Sequence, residues 1–237
     1  MRLIAALTEK PWLTPGPGPS APSAPAESES AARPWDKGVG LTVFLLVVTL
    51  LFTLMSSAYV MRMGGHAGHA GGGDWRPIGE PPLLWLNTGL LAAASLAFHA
   101  ALGRARAGRP RRAGAALALG GALGLAFVAG QLLLWRALAG CFAGEAAAFC
   151  PAAAHGIPRG WAGDPAAAFF YLISGAHGLH ILGGLVACAL TGGRLARVDP
   201  GSLAARTGAA RAVQLCARYW DFMALVWLAL MGLFVST

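Results

Sequence analysis

The chain has 237 residues, of which 56% are hydrophobic and only 12% charged, and its formal net charge is +8. A soluble domain of this length would carry charge along one face of every helix, whereas here charge is confined to short stretches between long apolar runs, which excludes an ordinary soluble fold. The basic excess has no interleaved aromatic residues and no nucleic-acid-binding module around it, which removes nucleic acid as a partner.

Residues 1–37 are read as a tail. The run PWLTPGPGPSAPSAPAESESAARP at 11–34 alternates Pro, Gly, Ala and Ser; it cannot bury enough apolar surface to offset ordering and is predicted to be disordered. Residues 1–12 lack an apolar core followed by a small-residue cleavage site, so no secretory signal is expected and the first helix inserts as it stands.

Residues 38–237 are predicted to be all-α and polytopic. A hydrocarbon core of about 30 Å takes roughly 20 apolar residues as a helix, and five runs meet that length, at about 41–62, 82–103, 113–138, 165–193 and 212–235. Helices satisfy their own backbone within lipid, and the absence of short alternating segments argues against a transmembrane barrel. Arg104, Arg106, Arg109, Arg111 and Arg112 lie between the second and third runs, and Arg194, Arg197, Arg206 and Arg211 between the fourth and fifth. The other two connections carry only Arg62 with Arg76 and Arg136 with Arg159. By the positive-inside rule the N-terminus is expected in the cytoplasm and the C-terminus outside, in the periplasm.

Polar groups within the runs are expensive and mark function or packing. The fourth run reads FFYLISGAHGLHILGG, with His177 and His180 three residues apart on one helix face. Two imidazoles there can bond a neighbouring helix, hold a lipid headgroup or ligate a metal. A metal or haem needs further ligands at the same depth, and His99 is the only other histidine in an apolar run. A hydrogen-bonding role is therefore expected for the pair. Asn87, Thr88 and Gln131 are read as interhelical hydrogen bonders, and Gly120 with Gly124 as a close helix contact. Trp85, Trp135, Trp220 and Trp227 are candidate interface markers. Asp221 is the one acid plainly inside an apolar run. It is expected to pair with Arg218 one turn earlier; the alternatives are a proton-collecting surface and an imidazole of the fourth helix.

YLISGAHGLHILGG closely resembles the signature of the haem-copper oxidase subunit III family (cytochrome c oxidase subunit III). Three further stretches resemble that family in its own order. PLLWLNTGLLAAAS (82–95) is similar to its Leu-Asn-Thr helix, LGLAFVAGQLLLW (123–135) to its helix with a buried Gln, and RYWDFMALVWLALM (218–231) to its terminal Tyr-Trp-x-Phe helix. The resemblance covers Leu41 to Phe234 and implies the five-helix bacterial form.

The resemblance implies a subunit of a respiratory terminal oxidase in the bacterial inner membrane, within a complex that passes electrons from cytochrome c to oxygen and pumps protons. This chain would hold no cofactor and no catalytic residue: haem and copper would sit in partner subunits, subunit I and with it subunit II. It would stabilise the catalytic subunit and support proton uptake. The family motif carries over His177, His180, Asn87, Thr88, Gln131, Tyr219, Trp220, Asp221 and Trp227 as structural or lipid-binding positions. Bound phospholipid is implied, in a cleft between the first two helices and the other three. Departures are specific. The family's first-helix Glu falls at Val48 or Thr49, its Glu after the Gln falls at Leu134, and its terminal His and Asp fall at Asp221 and Ala224.

Two alternatives stay open: the same fold in a quinol oxidase or nitric oxide reductase assembly, and a small proton-coupled transporter using the His pair and Asp221. The expected topology places Cys141 and Cys150 in one outside loop, which predicts a disulfide between them, while Cys188 and Cys216 lie in or beside the membrane on the inner side. His66 and His69 in HAGHAGGG are read as part of a glycine-rich turn rather than a metal site.

Overall fold

The computed structural model describes residues 36–64, 82–142, 165–199 and 201–236. They form five helices: α1 (Asp36–Gly64), α2 (Pro82–Arg106), α3 (Pro110–Phe142), α4 (Pro165–Ala196) and α5 (Leu203–Val235). Each is long and apolar enough to cross a membrane, and among the described residues there is no strand. The chain is thus an all-helical, multi-pass membrane protein. Of the expected tail, only Asp36 and Lys37 fall among the described residues, as the start of α1.

Every expected span is present, and each of the five helices outruns it. The largest extension is in α5, which begins at Leu203 rather than Ala212. Apolar length measures the hydrocarbon crossed, whereas helix length is set by where capping groups stand. Ser202 supplies that stop, its hydroxyl accepting from the Ala205 amide at 3.3 Å. Between α2 and α3 the turn is as tight. The Gly108 amide bonds the Ala105 carbonyl and the Arg109 amide the Arg104 carbonyl, with Gly108 at φ 70°, so a glycine C-cap closes α2 and Pro110 opens α3.

Helices α2, α3, α4 and α5 close a ring in which α2 packs on α3 and α5, and α4 on α3 and α5. The resemblance implied a cleft setting the first two helices apart from the other three. The packing differs, because α2 is an integral member of the four-helix ring. Helix α1 lies outside it and attaches through one stripe, Val48, Phe52 and Tyr59, all buried. Phe52 meets His177 and His180 of α4, and Tyr59 meets Phe169 of α4 and Phe234 of α5. Leu46, Leu50 and Leu54 on its other side are exposed apolar surface suited to hydrocarbon.

Gly120 and Gly124 were expected to let two backbones approach. They instead seat rings: a Cβ on Gly120 would fall 2.9 Å from Phe98, and one on Gly124 2.3 Å from Trp220. Those rings stack on each other with centroids 4.8 Å apart, locking α2 and α5 onto α3. Replacing Gly124 with Ala is therefore expected to displace the Trp220 indole and cost about 1–3 kcal/mol. Gly183→Ala meets nothing within 4 Å and is expected to leave thermal stability in detergent unchanged or slightly raised. Equal melting temperatures for the two variants would contradict this packing.

Candidate functional site: a buried polar and aromatic core

The motif residues of four helices meet inside the ring. Asn87 of α2 and Gln131 of α3 are both buried, and the Asn87 Nδ2 donates to Gln131 Oε1 at 3.2 Å. Amides surrounded by apolar side chains need such a partner, since water cannot reach them. Asn87 Oδ1 is turned to the α3 backbone, where a Cβ on Gly130 would lie 2.1 Å from it. At the next residue of α2, on the side facing α5, the Trp227 indole N–H donates to the Thr88 hydroxyl at 3.0 Å, and that hydroxyl donates to the Leu84 carbonyl at 2.9 Å. Met231 Sδ lies beside the same hydroxyl. Asn87, Thr88, Gln131 and Trp227, chosen from sequence, thus form two adjoining interhelical contacts.

His177 is fully buried next to them in a box of rings. Phe52, Phe127 and Trp227 stand with centroids 6.1, 5.7 and 5.3 Å from the imidazole. Neither ring nitrogen has a protein hydrogen-bond partner, which corrects the hydrogen-bonding role expected of it: among the described residues, His177 contributes ring packing. The hydrogen-bonding half of the pair is His180, whose Nδ1 donates to the Ala176 carbonyl one turn back at 2.7 Å. Its own carbonyl accepts from the Tyr219 hydroxyl at 2.6 Å, tying α4 to α5. Phe44 and Phe52 cover its ring, so the motif pair is the platform on which α1 sits.

Asp221 does not pair with Arg218, nor with an imidazole of α4. Its carboxylate contacts His99 Nε2 at 3.0 Å and accepts from the Ser95 hydroxyl, both on α2. Arg218 is exposed and lines the cavity where α2 ends and α5 begins, while Asp221, one turn further along α5, meets donors of α2. Ser95 and His99 stand one turn apart and present donors on a single face. This cluster opens outward, with side chains of His99 and Asp221 54% and 38% exposed. His99 lies roughly 7 Å along α2 from Arg104, inside the apolar span. Tyr219 and Trp220, which flank the acid, face the core: a Cβ on Gly184 would meet the Tyr219 ring at 2.5 Å.

A third contact was not singled out from sequence. The Trp135 indole donates to the Ser174 hydroxyl at 3.1 Å, and the Tyr171 hydroxyl donates to the Trp135 carbonyl at 3.0 Å, clasping α3 to α4. Sequence flagged Trp135 only as an interface marker, and no spacing pairs Tyr171 or Ser174 with it. Where the family's acids were missing, Val48 and Leu134 are buried in apolar packing, and the Thr49 hydroxyl returns to the Leu45 carbonyl. Cys188 and Cys216 are buried free thiols. The Cys141 side chain, Cys150, His66 and His69 lie outside the described residues. Among the described residues no three His, Cys, Asp or Glu side chains come together as metal ligands would.

Neither a known family model nor a curated protein matches the chain.

The ring box makes a direct claim about His177. Because its nitrogens have no partner to lose, His177→Phe is expected to change stability by no more than about 1 kcal/mol, whereas His177→Ala empties the box and costs about 2–4 kcal/mol. Thermal unfolding in detergent reads both, and a large loss for the Phe variant would contradict a packing role.

Proposed function

We propose that this chain is the non-redox subunit III of a bacterial haem-copper terminal oxidase, docked on a catalytic subunit and stabilising it during oxygen reduction. The observation that carries the reading is convergence. Four stretches that resemble the family in its order meet as neighbours: Asn87 with Gln131, and His177 with Trp227. Buried polar and aromatic side chains of different helices partner one another in membrane bundles generally, and the reading is supported by the identity of these partners, each of which lies in a stretch with the resemblance. In this reading the arginine-bearing end of the bundle faces the cytoplasm, as the positive-inside rule expects.

The Ser95–His99–Asp221 cluster supplies the docking surface. A half-exposed carboxylate and imidazole inside an apolar span are costly against lipid chains, and a polar group of the catalytic subunit seated there removes that cost. The same cluster stands in for the family's missing carboxylates, Asp221 being the acid inside an apolar span among the described residues, which gives the proton-uptake role a place on α2 and α5.

Purification through a tag on this chain in gentle detergent, followed by optical spectroscopy and mass spectrometry, tests the reading. A co-purifying polypeptide with haem, and no haem on this chain once separated, is the expected outcome. The identity of that polypeptide also distinguishes a cytochrome c oxidase from a quinol oxidase or a nitric oxide reductase. A haem-free lone bundle would refute the proposal. Asp221→Ala is expected to lower recovery of the partner at least fivefold while leaving the bundle folded.

A further inference from the structure

Cys188 of α4 and Cys216 of α5 are both buried, free thiols. They face each other between those helices with their side chains in hydrogen-bond contact, and each is only 6% exposed. The Cys188 thiol also donates to the Leu117 carbonyl of α3 at 3.6 Å, and a Cβ on Gly121 would lie 3.3 Å from its sulfur. Three helices thus hold one pair of sulfurs at a single level of the ring.

A thiol is a weak donor and a weak acceptor, so the contact itself contributes little to holding the helices together. Two sulfurs at this separation are suited to a soft monovalent d10 cation, which takes two thiolates in a near-linear S–M–S unit and needs no third ligand. Zn(II), by contrast, takes four ligands, and no cluster of three His, Cys, Asp or Glu stands among the described residues. Exchanging two thiol protons for one monovalent cation leaves the unit with one negative charge, which is costly in an apolar interior unless donors face it.

Two features offset that charge. The Trp220 indole, one turn on from Cys216, adjoins the Cys216 sulfur and is 1% exposed, and its N–H has no hydrogen-bond partner. A thiolate sulfur supplies that N–H with a charged acceptor. The basic end of the bundle is also close: Arg194 follows Cys188 by six residues, roughly 9 Å along α4, and Arg218 follows Cys216 by two.

We propose that Cys188 and Cys216 form a two-coordinate site for a soft monovalent cation, Cu(I) or its chemical analogue Ag(I), bridging α4 and α5. Binding makes two S–M bonds and releases both thiol protons to water, with no electron transferred. The site is independent of the partner assigned above, because neither sulfur belongs to the Ser95–His99–Asp221 seam or to the Asn87–Gln131 and Thr88–Trp227 contacts.

The test uses the full-length protein with any co-purifying subunits, in a Cys141→Ser/Cys150→Ser background that removes the chain's other two thiols. Silver is the probe, because copper held by a partner subunit would obscure the count. After loading with Ag(I) and washing, native mass spectrometry counts silver on the released chain, and X-ray absorption at the silver edge reports its ligands. About one ion per chain, held by two sulfurs, is expected. Cys188→Ser, whose hydroxyl still offers the Leu117 carbonyl a donor, and Cys216→Ala are each expected to weaken retention by more than about 100-fold, beyond the effect of losing an outer-shell partner. Thermal unfolding without silver checks that both variants are folded; where one is not, the ligand set seen in the parent decides. The proposal is overturned if the parent chain retains no silver, if folded variants retain as much as the parent, or if oxygen or nitrogen fills the shell of the bound ion.

Discussion

The structure depends on a constraint that lipid imposes on buried polar groups. Inside a ring of apolar helices, an amide or indole N–H gains from a partner on another helix because water cannot reach it; Asn87 and Trp227 find one, while Gln131 Nε2 and Trp220 Nε1 have none. Asn87 and Trp227 each reach across to another helix for that partner, Gln131 and Thr88 respectively. These two bonds fix the rotation of α2, α3 and α5 about their axes, which apolar packing alone would leave poorly specified. Once those rotations are set, Phe98 and Trp220 fall on the glycines of α3, Phe127 and Trp227 close on His177, and α1 finds an aromatic platform at the His177–His180 pair.

The same rotation turns one polar cluster outward. With Trp227 and Trp220 facing inward on α5, Asp221 is carried to the seam with α2, where Ser95 and His99 meet it. A half-exposed carboxylate–imidazole contact is costly against lipid chains, and under the proposed reading a partner subunit removes that cost. The core holds the bundle, and the seam is the polar surface to which the proposed partner is assigned. Their coupling through one helix is why a single set of motif residues can serve both ends.

Much of this was legible in the sequence, and for identifiable reasons. The spans were readable because membrane thickness fixes apolar length, and the candidate core residues because polar side chains in such spans are few. Helix extents were less readable: Ser202 and Gly108 stop or cap helices in stretches where hydropathy carries no signal. Pairing was the least readable property. Asp221 has Arg218 one turn away in sequence and bonds α2 instead, because the bundle's rotation, a tertiary property, decides which neighbour faces it. The His pair was rightly placed on one helix face, yet the two imidazoles differ. His177 lies among Phe52, Phe127 and Trp227, which no local pattern brings together, while the bond of His180 to Ala176 is local to its own helix.

The central claim is that the α2–α5 seam faces a haem-bearing partner, and a photoreactive amino acid at Leu96 tests it most directly. Leu96 is 71% exposed and adjoins Ser95 in the cluster. Irradiation in the native membrane is expected to give a covalent product between this chain and a haem-containing membrane polypeptide. Products limited to lipid, or to a second copy of this chain, would contradict the account.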